Sequence, residues 1–184
     1  MINKVGTLLI TSLLLAVLVL SVVSVNAFAA TGGVTEAEVQ QDLVSLRKAT
    51  VRYLDVNNAL ADGFVPVSEC ILNSDGSAGM GIHYMHIGRV VDPSINLLEP
   101  ELLLYAPTQN GVRLVGVEYF QAIGPANFIP PDAPPPPMLF GREFDGPMFG
   151  HEEVMPSHYD FHVWLWVANP NGIFADFNPN VKCP

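Results

Sequence analysis

From His158 to Val167 the chain alternates with a period of two. Tyr159, Phe161, Val163, Leu165 and Val167 fall on one side, His158, Asp160, His162, Trp164 and Trp166 on the other. The first set is an ordinary apolar core face. The second carries two imidazoles, a carboxylate and two indoles, groups that neither belong in bulk water nor fill a core without polar partners. The pattern predicts a central strand with chemistry on one side.

Farther upstream the period is helical. Thr35-Glu36-Ala37-Glu38 has the form of a capping box, in which Thr35 accepts from the Glu38 amide while the Glu38 side chain reaches back to the amide of Thr35. Val39, Leu43, Leu46, Tyr53 and Leu60 then recur at helical spacing until Ala61-Asp62-Gly63 supplies an end. One amphipathic helix is predicted, and its apolar stripe needs a sheet to cover.

The rest reads as extended chain and turns. Phe64 to Ile71 is short and interrupted by Pro66, and Asn73 to Ser77 is turn chemistry. Gly79 to His86 reads as a strand with Gly81, His83 and Met85 on one side and Met80, Ile82, Tyr84 and His86 on the other; its glycines let another backbone or a ligand come close. Leu102 to Tyr105 and Val112 to Ala122 flank Asn110-Gly111, a hairpin signal. In the second strand Val112, Leu114, Gly116, Glu118 and Phe120 are expected to share a face, with Arg113, Val115, Val117 and Tyr119 on the other. From about 124 to 147 proline dominates, so neither helix nor central strand can run through it. Such a loop is either a lid over a pocket or a polyproline segment laid on the surface. Together these elements predict an α+β, mainly β domain: an antiparallel β-barrel or sandwich with one N-terminal amphipathic helix packed on it.

Composition changes this picture at the N-terminus. Lys4, the apolar run Thr7 to Val25 and the small-x-small step Ala27-Phe28-Ala29 have the form of a secretory leader. Residues 1–30 are therefore expected to be a signal peptide and 31–184 a single exported domain, secreted or periplasmic. Because the run exceeds the usual length of about 7–15 residues, an uncleaved membrane anchor is the alternative. The formal net charge of −10 becomes one unit more negative without Lys4. Such a surface repels nucleic acid and anionic lipid, so neither nucleic acid nor, after cleavage, a membrane is expected as partner. Cys70 and Cys183 are the two cysteines, and an even count in an oxidising compartment predicts one bridge between them.

Candidate chemistry lies where polar residues interrupt apolar strands: His83, Glu118 and His162. An ionised Glu118 among apolar neighbours needs a cation, a metal or a proton donor. Two imidazoles and a carboxylate converging from three strands would hold a divalent transition metal, Zn, Fe, Mn or Cu, with positions left open for water or substrate. At roughly 3.3 Å per residue, His158 and His162 stand about 13 Å apart along a strand, too far for one ion, whereas Asp160 is near enough to His162 to share it. His158 or Asp160 then serves as a catalytic acid/base neighbour. Tyr84, Met85, Trp164 and Trp166 are available to line a ligand pocket, and His151 is an additional candidate ligand. The same residues also fit ordinary core hydrogen bonds: Glu118 with Arg52 or Arg113, His83 with a backbone carbonyl, His162 with Tyr84 or Asp160. An exported metal-binding protein, even a metal-dependent enzyme, is one function they allow. A non-catalytic binder of a small apolar or aromatic molecule is a second, and an interaction module without a pocket a third. There is no GxSxG and no glycine-rich phosphate loop before a helix, and paired cysteines leave no thiol nucleophile. Glu118 and Asp160 could form a glycosidase pair only at a suitable separation.

Gly79-Met80-Gly81-Ile82-His83-Tyr84, Gly116-Val117-Glu118-Tyr119 and His162-Val163-Trp164-Leu165-Trp166, with the ending Asn169-Pro170-Asn171-Gly172 through Asn178-Pro179-Asn180-Val181 to Cys183, resemble blocks of a group of secreted bacterial proteins. The resemblance spans nearly all of the chain after the leader. It implies export and a single domain, and assigns no catalytic residue. A His, a Glu and a later His on strands also resemble cupins loosely, though the close His-x-His pair of the first cupin motif has no counterpart here.

Overall fold

The capping box at Thr35 opens the folded chain as its residues require: the Glu38 carboxylate accepts from the Thr35 amide at 2.7 Å and the Thr35 hydroxyl accepts from the Glu38 amide. A computed structural model describes residues 33–150 and 155–184. The expected signal peptide and His151 lie outside the described residues. Helix α1 runs Glu36–Thr50 and buries Leu43 and Leu46. The single helix expected through residue 61 is instead broken. Val51–Leu54 forms a tighter 3₁₀ turn, and α2 restarts over Val56–Ala61 with the Asp55 carboxylate accepting from the Asn57 amide. The new cap shifts the helical phase, so Ala59 is buried and Leu60 is exposed.

The strands follow: β1 Phe64–Pro66, β2 Ile71–Leu72 and β3 Gly79–His86, then the short helix α3 Ile87–Val90. After it come β4 Leu102–Thr108, β5 Gly111–Gly124, β6 Met138–Leu139, β7 Arg142–Glu143, β8 Asp145–Met148 and β9 Ser157–Val163. All pairings are antiparallel, and the main sheet runs β1-β3-β4-β5-β9-β8 with β2 also on β3. β1 and β8 stand at its two ends, so the sheet does not close into a barrel; the arrangement is layered and sandwich-like. Within β3, Gly81 has φ +96°, and a Cβ there would lie 2.6 Å from the Tyr105 carbonyl oxygen. Only glycine permits that approach.

One face of the sheet carries the larger core. Leu103, Tyr105, Val117, Tyr119, Tyr159, Phe161 and Val163 pack with Leu43, Leu46 and Tyr53 from the helical segment and with Phe140 and Phe144. The proline-rich segment is therefore no lid on the polar face. It supplies two phenyl rings to the helix-covered face, and its Pro134 carbonyl accepts a hydrogen bond from the Tyr159 hydroxyl. It joins the main sheet through edge strand β8, which pairs with β9 and where Pro147 is tolerated.

Two face assignments are corrected. In β5 the register slips between Leu104 and Tyr105, which face Gly116 and Leu114, so Val115 is an extra residue. This bulge reverses the alternation: Leu114 joins the helix-side core while Val115 turns to Leu104, Ala106 and Trp164 on the other face. β9 ends at Val163, four residues before the expected alternation does. Beyond it Trp166 packs against the helix-side core beneath the Arg47 guanidinium, 4.8 Å from the ring centroid, and Val167 packs with Trp164.

The tail returns to β3. Asn178 bridges Gly79, Val181 is buried, and Cys183 forms a disulfide with Cys70, its Cα 5.6 Å away. Among the described residues no helix is long and apolar enough to cross a membrane.

Just before β4, the buried Glu101 accepts from the Phe120 amide at 3.1 Å. Burial outweighs that hydrogen bond and pushes its carboxyl up from 4.5 to about 7. A raised folded-state value means stability that is fully present below about pH 4.5 and lost as the pH rises through about 7. Denaturant unfolding is expected to fall by on the order of 3 kcal/mol from this group between pH 5 and 8. Glu101→Gln should abolish that part of the slope, and an unchanged slope in the variant would refute the assignment.

Candidate metal centre

The face of the sheet opposite the helix-covered one brings the polar residues together. His83 from β3, Glu118 from β5 and His162 from β9 lie on the second face, with Glu118 and His162 directly opposite in the β5–β9 ladder. All three are buried, at 4 %, 1 % and 1 % exposure. Each offers one ligand atom, and these atoms lie within 4.8 Å of one another. The Glu118 Oε2 is 3.1 Å from His83 Nε2 and 3.7 Å from His162 Nε2. Ligand atoms bound at about 2.1 Å around a tetrahedral ion stand about 3.4 Å apart, so the spacing suits a metal. The group can hold a metal ion.

The hydrogen-bond partners separate this set from an ordinary polar core. Neither the Glu118 Oε2 nor either ring nitrogen of His162 has an aligned hydrogen-bond partner. No arginine reaches Glu118: Arg52 pairs with Asp62 at 3.1 Å, and Arg113 is exposed. Burial alone raises the Glu118 carboxyl, but the His83 and His162 imidazoles outweigh it and hold the group down at about 2. A buried carboxylate facing two imidazoles is what a cation site requires of its donors.

His83 has a second neighbour that sequence reasoning missed. The Ser68 Oγ accepts from the His83 backbone amide at 3.0 Å and lies 3.1 Å from Nδ1. A rotating hydroxyl serves both tautomers: it donates to Nδ1 when Nε2 carries the proton, and accepts from Nδ1–H when Nε2 offers its lone pair to a metal. Ser68 sits between the short strands β1 and β2, and no periodicity marks it.

The three groups open onto a cavity of about 300 Å³. Asp160 lines it as well, outside the ligand group but on the same face. The remaining wall is mostly apolar, with Val67, Ile71, Met80, Met85, Val90 and Met155 among its residues. Of the four expected pocket residues only Met85 lines the cavity. Tyr84 and Trp166 pack against the helix-side core, and Trp164 lies among Leu104, Val115 and Val181 with its indole N–H donated to the Ala175 carbonyl. α3, which brings Ile87 and Val90 to the wall, begins where the His86 Nδ1 accepts from the Arg89 amide.

His158 is fully buried behind Asp160 and away from the cavity wall. It stacks on Phe120 at 4.3 Å, donates Nδ1–H to the Pro156 carbonyl at 2.8 Å and sets Nε2 3.5 Å from the Asp160 carboxylate. Burial alone would lower its pKa, but the Asp160 carboxylate and the Pro156 carbonyl outweigh it and raise it. The pair thus presents Asp160 to the cavity with a histidine fixed behind it.

Fold and site together define a class, a mainly antiparallel β domain with one helical layer and a buried His/Glu/His group able to hold a metal. Beyond that class, the chain matches no family model, no curated protein and no solved structure.

Proposed function

We propose that the protein is an exported metal-binding protein in which His83, Glu118 and His162 hold a divalent transition metal at the inner end of the cavity. The observation that carries this is His162, buried to 1 % with no hydrogen-bond partner on either nitrogen, beside an oxygen of Glu118 equally without one. Such groups are costly unless something binds them. The donor set of two imidazoles and one carboxylate suits Zn, Fe, Mn or Cu rather than Mg or Ca. The Cys70–Cys183 disulfide fits an oxidising compartment, and with the leader-like residues 1–30 it supports export.

Three protein ligands leave positions open toward the cavity, which favours a metal-dependent enzyme over a purely structural site. In that reading His83, Glu118 and His162 would hold the metal, which when bound would supply Lewis-acid chemistry; Asp160, which lines the same cavity, would take or return a proton, with His158 keeping it oriented. A non-catalytic binder of a small apolar molecule is the second reading, favoured by the apolar walls of the same cavity.

The test is elemental analysis of protein purified without a histidine tag. About one equivalent of a single transition metal per chain is expected, removable by a chelator with a fall in melting temperature. Metal-free protein that also fails to take up added Zn or Mn would end the proposal.

A further inference from the structure

The cavity is built in two zones. At its inner end stand His83, Glu118 and His162, each no more than 4 % exposed. At its mouth stand Ile87 and Val91, apolar side chains exposed at 54 % and 74 %. These two side chains carry the apolar lining of the cavity outward to its mouth, so an apolar tail would meet apolar surface along its length. The volume of about 300 Å³ equals about ten water-sized volumes and falls at the lower end of small-molecule sites.

Resting on the metal reading above, we infer that the site takes a small amphipathic molecule of about ten non-hydrogen atoms, with an oxygen donor head that completes the metal's coordination and an aliphatic tail running out past Val90 and Ile87. The polarity of the wall dictates that orientation: a polar head at the mouth would leave the inner donors unmet and place the tail against buried charge. The head arrives uncharged, because Asp160 shares the cavity with Glu118 and the chain's net charge of −10 opposes an incoming anion.

Aliphatic hydroxamic acids, which arrive uncharged at neutral pH and bind a transition metal through oxygen on passing the N–OH proton to a base such as Asp160 or to water, are suitable probes. The protein as purified, loaded with cobalt(II), is titrated with hexanohydroxamic and acetohydroxamic acid while the cobalt absorption bands are followed. Each added methylene buried in the cavity strengthens binding about four-fold, so four of them should favour the six-carbon acid by about 100-fold or more. Val90→Trp, which fills the wall, should cut that preference to about three-fold while the variant still takes up cobalt; if it does not, Ile87→Trp at the exposed mouth is read in its place. Equal affinity for the two acids on the cobalt-loaded wild type, or full preference retained in the filled variant, overturns the amphipathic ligand and leaves the metal centre standing. A wild type that shows no cobalt bands before any acid is added overturns both.

Discussion

Glu118→Ala is expected to weaken metal binding severely and, with it, to remove most of the metal's effect on stability. The carboxylate oxygen stands between the two imidazoles, 3.1 Å from His83 Nε2 and 3.7 Å from His162 Nε2. Without it no anionic ligand is left among the three, and the remaining imidazoles face an ion with its charge uncompensated. Affinity should drop by more than about 100-fold, beyond what loss of an outer partner costs. In the wild type, free metal at about 1,000 times its dissociation constant stabilises the fold by about 4 kcal/mol, which for a domain of this size raises the melting temperature by roughly 8–16 °C over chelated protein. At the same metal concentration the variant should keep at most about 1.4 kcal/mol of that effect, a shift of no more than roughly 3–6 °C. Glu118→Gln separates charge from shape: it keeps an oxygen donor in place, so it should recover part of the shift, with weaker affinity than wild type. A shift of wild-type size in the alanine variant would place the ion somewhere else.

The chain disclosed this site unevenly, for physical reasons. His83, Glu118 and His162 could be singled out because a charged or titratable residue inside an apolar strand needs a partner whatever the tertiary structure. That the three converge follows from strand order, which the alternation alone does not give. The period of two in β9 was legible since one face is wholly apolar; its end at Val163 was not, so Trp166 was assigned to the wrong face. The bulge at Val115 leaves no mark in a run where every residue is apolar or glycine, and it reversed Leu114 and Val115. The break at Asp55 did leave a mark, an N-cap residue in mid-pattern, hidden by the continuing apolar stripe. Ser68 and Met155 reach the site only through long-range packing, and nothing local announces them.

Removal of the Cys70–Cys183 disulfide should weaken both the fold and the site, and a comparison with Ser68 shows why. The bond closes a sequence separation of 113 residues, for which the chain-entropy account gives about 4–5 kcal/mol. Cys70 lies between Ser68, which holds the His83 ring and amide, and Ile71, which begins β2 and lines the cavity. β2 is only two residues long, so the disulfide adds a covalent restraint to the β1 and β2 pairings with β3 that hold this wall. The double variant Cys70→Ser/Cys183→Ser is therefore expected to lose about 4–5 kcal/mol in denaturant unfolding, and about ten-fold in metal affinity as Ser68 is freed from its place. Ser68→Ala should reverse the proportions, losing 10–100-fold in affinity as an outer-sphere partner typically does, roughly, with a stability cost of only about 1–3 kcal/mol from the amide left without its acceptor. If the double variant binds metal as tightly as wild type, the wall does not depend on the bond, and β1 and β2 hold Ser68 on their own. If instead Ser68→Ala leaves affinity unchanged while the double variant loses it, the disulfide acts on the centre through Ile71 and the cavity wall rather than through the His83 ring.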